Sequence, residues 1–552
     1  MKISPFAGTL APPEALINVS QLLDAYDAQH PDPSVAAQRV RFGTSGHRGS
    51  SLDTSFNRDH ILAITQAICE YRSRSHITGP LMLGRDTHAL SLPAFETALE
   101  VLAAHQVTVF IATETEFTPT PVISHAILRY NQDRTGGFAD GIVITPSHNP
   151  PREGGFKYNP PHGGPAQKAI TGWIEGRANE ILSSQLQSVR KTPFSRALRS
   201  ATTHLHDFLN PYVQDLANVV DMQLIRDAQL NLGVDPMGGA GIDYWPSIAE
   251  FYGIKLSITN SQIDPSFSFV PRDWDGQIRM DPSSAYAMGG LVRQAGQYDL
   301  AFACDTDHDR HGIVTPGQGL MPANHYLAVA MNYLLLNRPT WRRDLQIGKT
   351  LVSSKIIDRV VASLGHGLYE VPVGFKWFVD GLLSEKLGFA GEESAGATFL
   401  RSNGRVWTTD KDGIVPCLLA AEMTARTGRT PALLYHDLSQ KCGNPFYRRI
   451  EAAANPVQKE KLRKLDATDL ALDSLAGEKV ISTITRASGN DEPIGGIKIE
   501  TENGWFAARP SGTEDVYKIY AESFLGLAHL EQIIEAAQTW VDAALAQVPG
   551  DA

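Results

Sequence analysis

The sequence predicts an α/β protein of three consecutive α/β domains with mixed or parallel sheets, followed by a smaller α+β domain. Three observations predict it. A chain of 552 residues exceeds what a single hydrophobic core supports. Buried-looking strands alternate with amphipathic helical stretches through most of its length, the pattern of right-handed βαβ units. The C-terminal part, from residue 446, instead reads as short strands joined by tight glycine turns and closed by one helix.

Residues 1–40 form an N-terminal extension. In 41–205, "PLMLGRD" (80–86) is a buried strand ending in charge. "LPAFETALEVLAAHQ" then puts Phe95, Ala98, Leu99, Leu102 and Ala103 on one helical face, and "VTVFIAT" (107–113) is the next strand. In 206–322 the theme returns with "LNLGVD" (230–235), the helix-like "IDYWPSIAEFYG", "IKLSIT" (254–259) and "YDLAFACD" (298–305). In 323–445, "KTLVSS" (349–354) is a strand before the helix-like "KIIDRVVASLG". In 446–552, "KVISTIT", "GIKIETENG", "GWFAARPSG" and "DVYKIYAES" are strands. The last helix gathers Leu530, Ile533, Ile534, Ala537, Val541 and Leu545 on one face.

Composition excludes several classes. With 42% hydrophobic and 20% charged residues the chain is an ordinary soluble globular protein. A net charge of -11 argues against a nucleic-acid partner, although a local Arg/Lys cluster can still bind an anionic small molecule. Four scattered cysteines (69, 304, 417, 442) give neither a zinc site nor a disulfide framework, which suits a reducing cytoplasm. The N-terminus lacks the apolar run of a signal peptide. The apolar stretch 326–336, broken by Asn332, is too short to span a membrane.

The sharpest chemical signal is "CDTDHDRHG" (304–312). In extended backbone alternate side chains share a face, so Asp305, Asp307 and Asp309 converge three hard oxygen ligands that suit Mg²⁺ or Ca²⁺. An EF-hand is excluded, because its sixth position is Arg310 and its twelfth Pro316. Arg310 adds a cation for a phosphate. "TPSHNPP" (145–151) sets Ser147 and His148 in a proline-braced turn, with Lys157 ten residues after the serine. No G-x-S-x-G elbow surrounds it, which disfavours an esterase, and an ordinary turn serine fits the same residues. "RPSGTE" brings Arg509, Ser511, Gly512 and Thr513 together as a phosphate cradle, and equally fits a hairpin turn with a solvent-facing arginine. "GEESAG" (391–396) can aim Glu392 and Ser394 at a polyhydroxylated ligand; alone, it better fits an acidic helix N-terminus. "GTSGHRG" (43–49), with Thr44, Ser45, His47 and Arg48, is a phosphate loop without Walker spacing, or a flexible lead-in. Gly374 and Lys411 stand in short turns that say little alone.

Together, "TPSHNP", "DTDHDRHG", "GEESAG" and "RPSGTE", in this order, resemble the α-D-phosphohexomutase superfamily from about Arg41 to the end. "GEESAG" and "GTSGHRG" are most similar to its bacterial, glucose-specific branch. The resemblance implies four domains around a central cleft, each supplying a loop. It implies a phosphoserine at Ser147 and Mg²⁺ on Asp305, Asp307 and Asp309, with a phosphate oxygen on Ser147 completing the site. Glu392 and Ser394 match residues that hold sugar hydroxyls, aided by the Gly374 loop. Arg509, Ser511, Gly512 and Thr513 match the grip on the non-reacting phosphate. Arg48, Lys157 and Lys411 match basic residues near the transferring phosphoryl, with His148 as a supporting hydrogen-bonder. Related branches end this motif in histidine and this chain has none through Ala397, so no base is carried over there.

The implied reaction interconverts glucose 1-phosphate and glucose 6-phosphate through glucose 1,6-bisphosphate. The implied partner is a sugar phosphate, and the implied state a monomer or homodimer. Phosphomannomutase, phosphoglucosamine mutase and, more distantly, a phosphoserine phosphohydrolase are the alternatives; "GEESAG" speaks against the first two. Ser147→Ala is expected to abolish mutase turnover with folding intact, read by activity and circular dichroism. Near-wild-type turnover would overturn the phosphoserine assignment.

Overall fold

The computed structural model describes residues 3–43, 46–113, 117–465, 472–511 and 516–546. Three of its sheets share one topology. In the first, Leu81–Arg85 lies between Val109–Ala112 and Asp140–Ile144, all parallel, and Gly154–Asn159 pairs antiparallel with Asp140–Ile144. The second places Leu232–Asp235 between Leu256–Ile258 and Leu300–Cys304, with His311–Thr315 antiparallel to the latter. The third places Gln346–Thr350 between Gly367–Val371 and Leu387–Gly391, with Ala397–Phe399 antiparallel to the latter. The apolar runs that signalled strands are explained by burial on both faces: Leu81–Arg85, Leu232–Asp235 and Leu300–Cys304 are buried at every position.

The fourth sheet is wholly antiparallel, in the order Phe446–Ala453, Val516–Ser523, Gly504–Pro510, Pro493–Glu500, Ser482–Arg486. The helix Leu527–Ala546 covers it, and its expected apolar face, from Leu530 through Leu545, enters that unit's core.

Two local expectations are corrected. "GEESAG" is not a helix N-terminus but the turn of a β-hairpin, because Leu387–Gly391 and Ala397–Phe399 pair across it. The strand expected over 349–354 is Gln346–Thr350. Leu351 and Val352 leave the sheet to pack on Trp505, Ala507 and Tyr520 of the fourth unit.

One hydrophobic cluster runs through the first three units, including Ile123, Tyr212, Phe302, Leu327, Trp407 and Val415. The fourth unit has its own cluster and meets the third through the small Leu351/Val352 patch. A buried ion chain reinforces that junction: Glu370 accepts from Lys349 and Lys498, and Lys498 also reaches Glu500. Among the described residues no helix is long and apolar enough to cross a membrane.

A second buried pair ties the second unit to the third. Arg338 grips Glu422 with two bonds of 2.8 and 2.9 Å and donates to the Val219 carbonyl, while the Asp221 N–H donates to Glu422. Removing one partner strands a buried charge. Glu422→Ala is therefore expected to lower stability by about 3–5 kcal/mol, measured by urea unfolding.

Candidate active site

The shared topology fixes where the chemical motifs fall. Ser147 lies in the connection from Asp140–Ile144 to Gly154–Asn159, and the three aspartates lie between Leu300–Cys304 and His311–Thr315. Glu392 and Ser394 lie between Leu387–Gly391 and Ala397–Phe399, and Ser511 follows Gly504–Pro510. Each motif occupies the turn of its sheet's antiparallel pair, where short side chains project from a rigid base.

Ser147 is buried and left-handed, with φ 59°, an uncommon state for a residue with a Cβ. Several bonds hold it there. Its N–H donates to Thr145 Oγ1 (2.8 Å), Thr145 donates to Asp86 (2.6 Å), and its carbonyl accepts from Thr306 Oγ1 (2.5 Å). Its Oγ donates to Asp305 Oδ2 at 2.7 Å and lies 3.3 Å from His148 Nδ1. Burial, then Arg310, pushes His148 well below the usual histidine range, so the ring is neutral and available for hydrogen bonding.

Asp305, Asp307 and Asp309 are all buried, with ligand oxygens within 4.8 Å of one another. Burial, then Asp307 and Asp309, pushes Asp305 well above the carboxylate range. Asp309 is buried too, but Lys411, Lys157 and Arg310 hold it far below that range. Lys157 bridges Asp307 Oδ2 (2.6 Å) and Asp309 Oδ2 (3.2 Å), and Lys411 reaches Asp309 Oδ2 at 3.2 Å. Burial opposes both lysine charges, yet the facing aspartates outweigh it and hold both cationic. Oδ1 of Asp307 and of Asp309 is buried without a hydrogen-bond partner. Orphaned hard oxygens beside a third carboxylate fit a divalent cation.

Backbone dipoles serve the same centre. The helix Thr120–Asn131 starts on Asp307: Thr120 N–H donates to its carbonyl (2.9 Å) and Thr120 Oγ1 to its carboxylate (2.6 Å). The helix Ile414–Thr427 starts at Gly413, whose N–H donates to the His308 carbonyl. A Cβ on Gly413 would sit 2.2 Å from the Arg310 carbonyl, so only glycine permits this approach. Helix N-termini favour anions.

Glu392 is tied to the Gly374 turn, whose N–H donates to Glu392 Oε1 at 3.1 Å. Gly374 has φ 127°, a backbone only glycine adopts freely. The Ala395 carbonyl accepts from His311 N–H, which docks this hairpin on the aspartate loop. Burial, with Lys411 partly offsetting, pushes the Glu392 carboxyl up to about 7. Ser394 is half-buried on the same turn.

Arg48 donates to Asn149 Oδ1 at 3.4 Å, and Arg310 lies 3.9 Å from Asp281 and 3.8 Å from Asp309. His47 is buried, stacked on Phe56 and His60, and accepts from the Arg41 N–H. Arg509 stands half-buried on the fourth unit's strand, close to Tyr520, whose hydroxyl also lies within electrostatic reach of Glu393 on the 387–399 hairpin. Thr44, Ser45, Gly512 and Thr513 lie outside the described residues. Thr120 and Asp86 lie outside the chemical motifs, and Thr145 and Thr306 stand within them without an expected role; only their contacts reveal all four.

Four models of the phosphoglucomutase/phosphomannomutase family match: alpha/beta/alpha domains I (39–185), II (210–318) and III (322–442), and the C-terminal domain (455–538). A Komagataeibacter xylinus protein named phosphoglucomutase is 57% identical over 99% of this chain and 98% of its own. Among solved structures, a phosphoglucomutase/phosphomannomutase family protein from Burkholderia thailandensis superposes with TM-score 0.68, 21% identity, and 93% and 99% coverage. The Paramecium phosphoprotein parafusin, a phosphoglucomutase in its open form, gives 0.71, 18%, 95% and 97%. With four ordered domain matches and a full-length relative, the chain belongs to the phosphoglucomutase/phosphomannomutase family.

Glu392 generates a pH prediction. Its raised pKa means the carboxylate, the stronger hydrogen-bond acceptor, forms only as pH rises through about 7. kcat/KM is expected to rise with pH across that region, and Glu392→Gln to remove the inflection. An unchanged profile in the variant would assign the inflection elsewhere.

Proposed function

We propose that the chain is a phosphoglucomutase, an isomerase that interconverts α-D-glucose 1-phosphate and glucose 6-phosphate through phosphorylated Ser147 and a glucose 1,6-bisphosphate intermediate. The observation that carries this reading is the buried Ser147 Oγ, 2.7 Å from Asp305 and ringed by Lys157, Lys411 and Arg310 through the aspartates. The full-length relative named phosphoglucomutase supports it. The four units, 41–205, 206–322, 323–445 and 446–552, each lend one loop.

In the forward step the free sugar hydroxyl bonds to the phosphorus as the bond from phosphorus to Ser147 Oγ breaks. The hydroxyl gives up a proton and the serine oxygen regains one. Lys157, Lys411, Arg310 and Arg48 offset the phosphoryl charge, which is most of what this chemistry asks of a protein. Asp305, Asp307 and Asp309 would hold Mg²⁺, with a phosphate oxygen on Ser147 completing the site; a divalent cation there supplies further charge neutralisation. Glu392 and Ser394 hold sugar hydroxyls in either orientation beside the Gly374 turn. Arg509, Ser511, Gly512 and Thr513 grip the phosphate that does not react. Thr44, Ser45 and His47 assist in holding the substrate, and His148 steadies the serine. The protein works in the cytoplasm, as a monomer or homodimer.

Assaying glucose, mannose and glucosamine phosphates with catalytic bisphosphate tests this. Glucose phosphates are expected to turn over fastest, activity to vanish on chelation, and Mg²⁺ to restore it. A preference for mannose or glucosamine phosphate, or phosphate release matching isomerisation, would overturn the reading.

A further inference from the structure

The N-terminal extension belongs to two units at once. Its helix Val19–Ala28 is part of the first unit: Leu22 and Tyr26 enter that core, Ser51 donates to the Leu22 carbonyl, and Asn57 donates to the Ala25 carbonyl. Residues 3–16 instead lie on the second unit. Ser4 N–H donates to the Trp274 carbonyl and Gly8 N–H to the Arg272 carbonyl, while Arg272 N–H donates to the Thr9 carbonyl (2.8, 2.8 and 2.9 Å). The Arg272 guanidinium donates to Thr9 Oγ1 (2.7 Å) and the Leu10 carbonyl (3.3 Å), and stacks 4.5 Å over the Phe6 ring. Ala11 and Leu16 pack against the cluster holding Phe267, Ile278 and Met280. The chain therefore crosses from one unit to the other at Leu16–Asn18.

The clamped segment leads to the reacting serine. Arg272 forms a bridge with Ile278, and Met280 N–H donates to the His148 carbonyl at 3.1 Å. The next residue, Asp281, is the carboxylate 3.9 Å from Arg310. Beyond its Met280 contact, the serine loop faces the second unit through Thr306 and Asp305. Fixing segment 272–281 fixes one wall of the loop.

We propose that residues 3–16 are a strap that positions the Ser147 loop: by clamping Arg272 they hold the Met280 N–H on the His148 carbonyl and Asp281 beside Arg310. Met280 and Asp281 are positioning residues, and the proposal rests on the reading of Ser147 as the phosphoryl carrier. A loop that must present one hydroxyl to a transferring phosphoryl loses rate when it wanders, because misplacement costs effective concentration. The sugar-binding turns stand on the third unit, so substrate affinity depends on the strap less than the rate does.

The test uses full-length chains carrying Arg272→Ala, and the milder Thr9→Val, with Arg429→Ala as a control that removes an exposed ion pair on the third unit. Deuterium uptake at 145–151 and 278–282 and steady-state kinetics are measured on each. Arg272→Ala is expected to speed exchange in both segments about tenfold, and to lower kcat about tenfold with KM within about twofold. Thr9→Val should move the same quantities less, and Arg429→Ala none of them. Unchanged exchange in the two segments, or faster exchange spread evenly over all four sheets, would overturn the proposal. Should the wild-type chain fail to interconvert glucose phosphates, the functional reading falls, while exchange at 145–151 still decides whether the strap holds the loop.

Discussion

Three buried carboxylates on one five-residue turn are the constraint around which the molecule is organised. Asp305, Asp307 and Asp309 repel one another in a medium that solvates charge poorly, so cations and dipoles must converge on them. Lys157 arrives from the first unit and Lys411 from the third, and two helices aim their N-termini at the same turn. The charge of a site on the second unit is thereby met by groups from both neighbours. This explains why the first three units share one continuous hydrophobic cluster: their mutual orientation sets the electrostatics.

Repetition of one topology supplies the geometry. A parallel strand pair flanks a central strand in each of the first three sheets, and the outer strand then turns back antiparallel. Such a turn is short, anchored at both ends and close to the strand termini, so it offers polar side chains without a buried, unsatisfied loop backbone. Used three times, it delivers Ser147, the carboxylate cluster and Glu392. The all-antiparallel fourth unit presents Arg509 near the end of its strand Gly504–Pro510. That unit joins the third through a small apolar patch and an ion chain.

The Ser147 loop shows how an uncommon backbone state is held in place. A left-handed, non-glycine residue persists only where its surroundings over-determine it. Here Thr145, Asp86 and Thr306 grip the turn from two units. The prolines at 146, 150 and 151 stiffen it locally. None of these contacts is visible from spacing, since the partners of each bond come together only in the folded chain.

The amino-acid sequence by itself determined the class of fold, the order of the strands and helices within it, and the identity of the chemical groups. Apolar runs and helical periodicity report local burial, and the three aspartates of 305–309 mark a candidate cation site, although they stand on a turn, with His308 at φ 58°, and not on the extended backbone expected there. It misjudged "GEESAG" as a helix start, because acidic residues beside small ones suit a helix N-terminus and a tight hairpin equally. Tertiary structure alone decided which groups meet. Lys157 and Lys411 reach Asp309 from opposite sides, Glu392 rests on the Gly374 turn, and Thr120 caps Asp307. These pairings join residues far apart in the chain, and their energies depend on burial and distance, which no local pattern encodes.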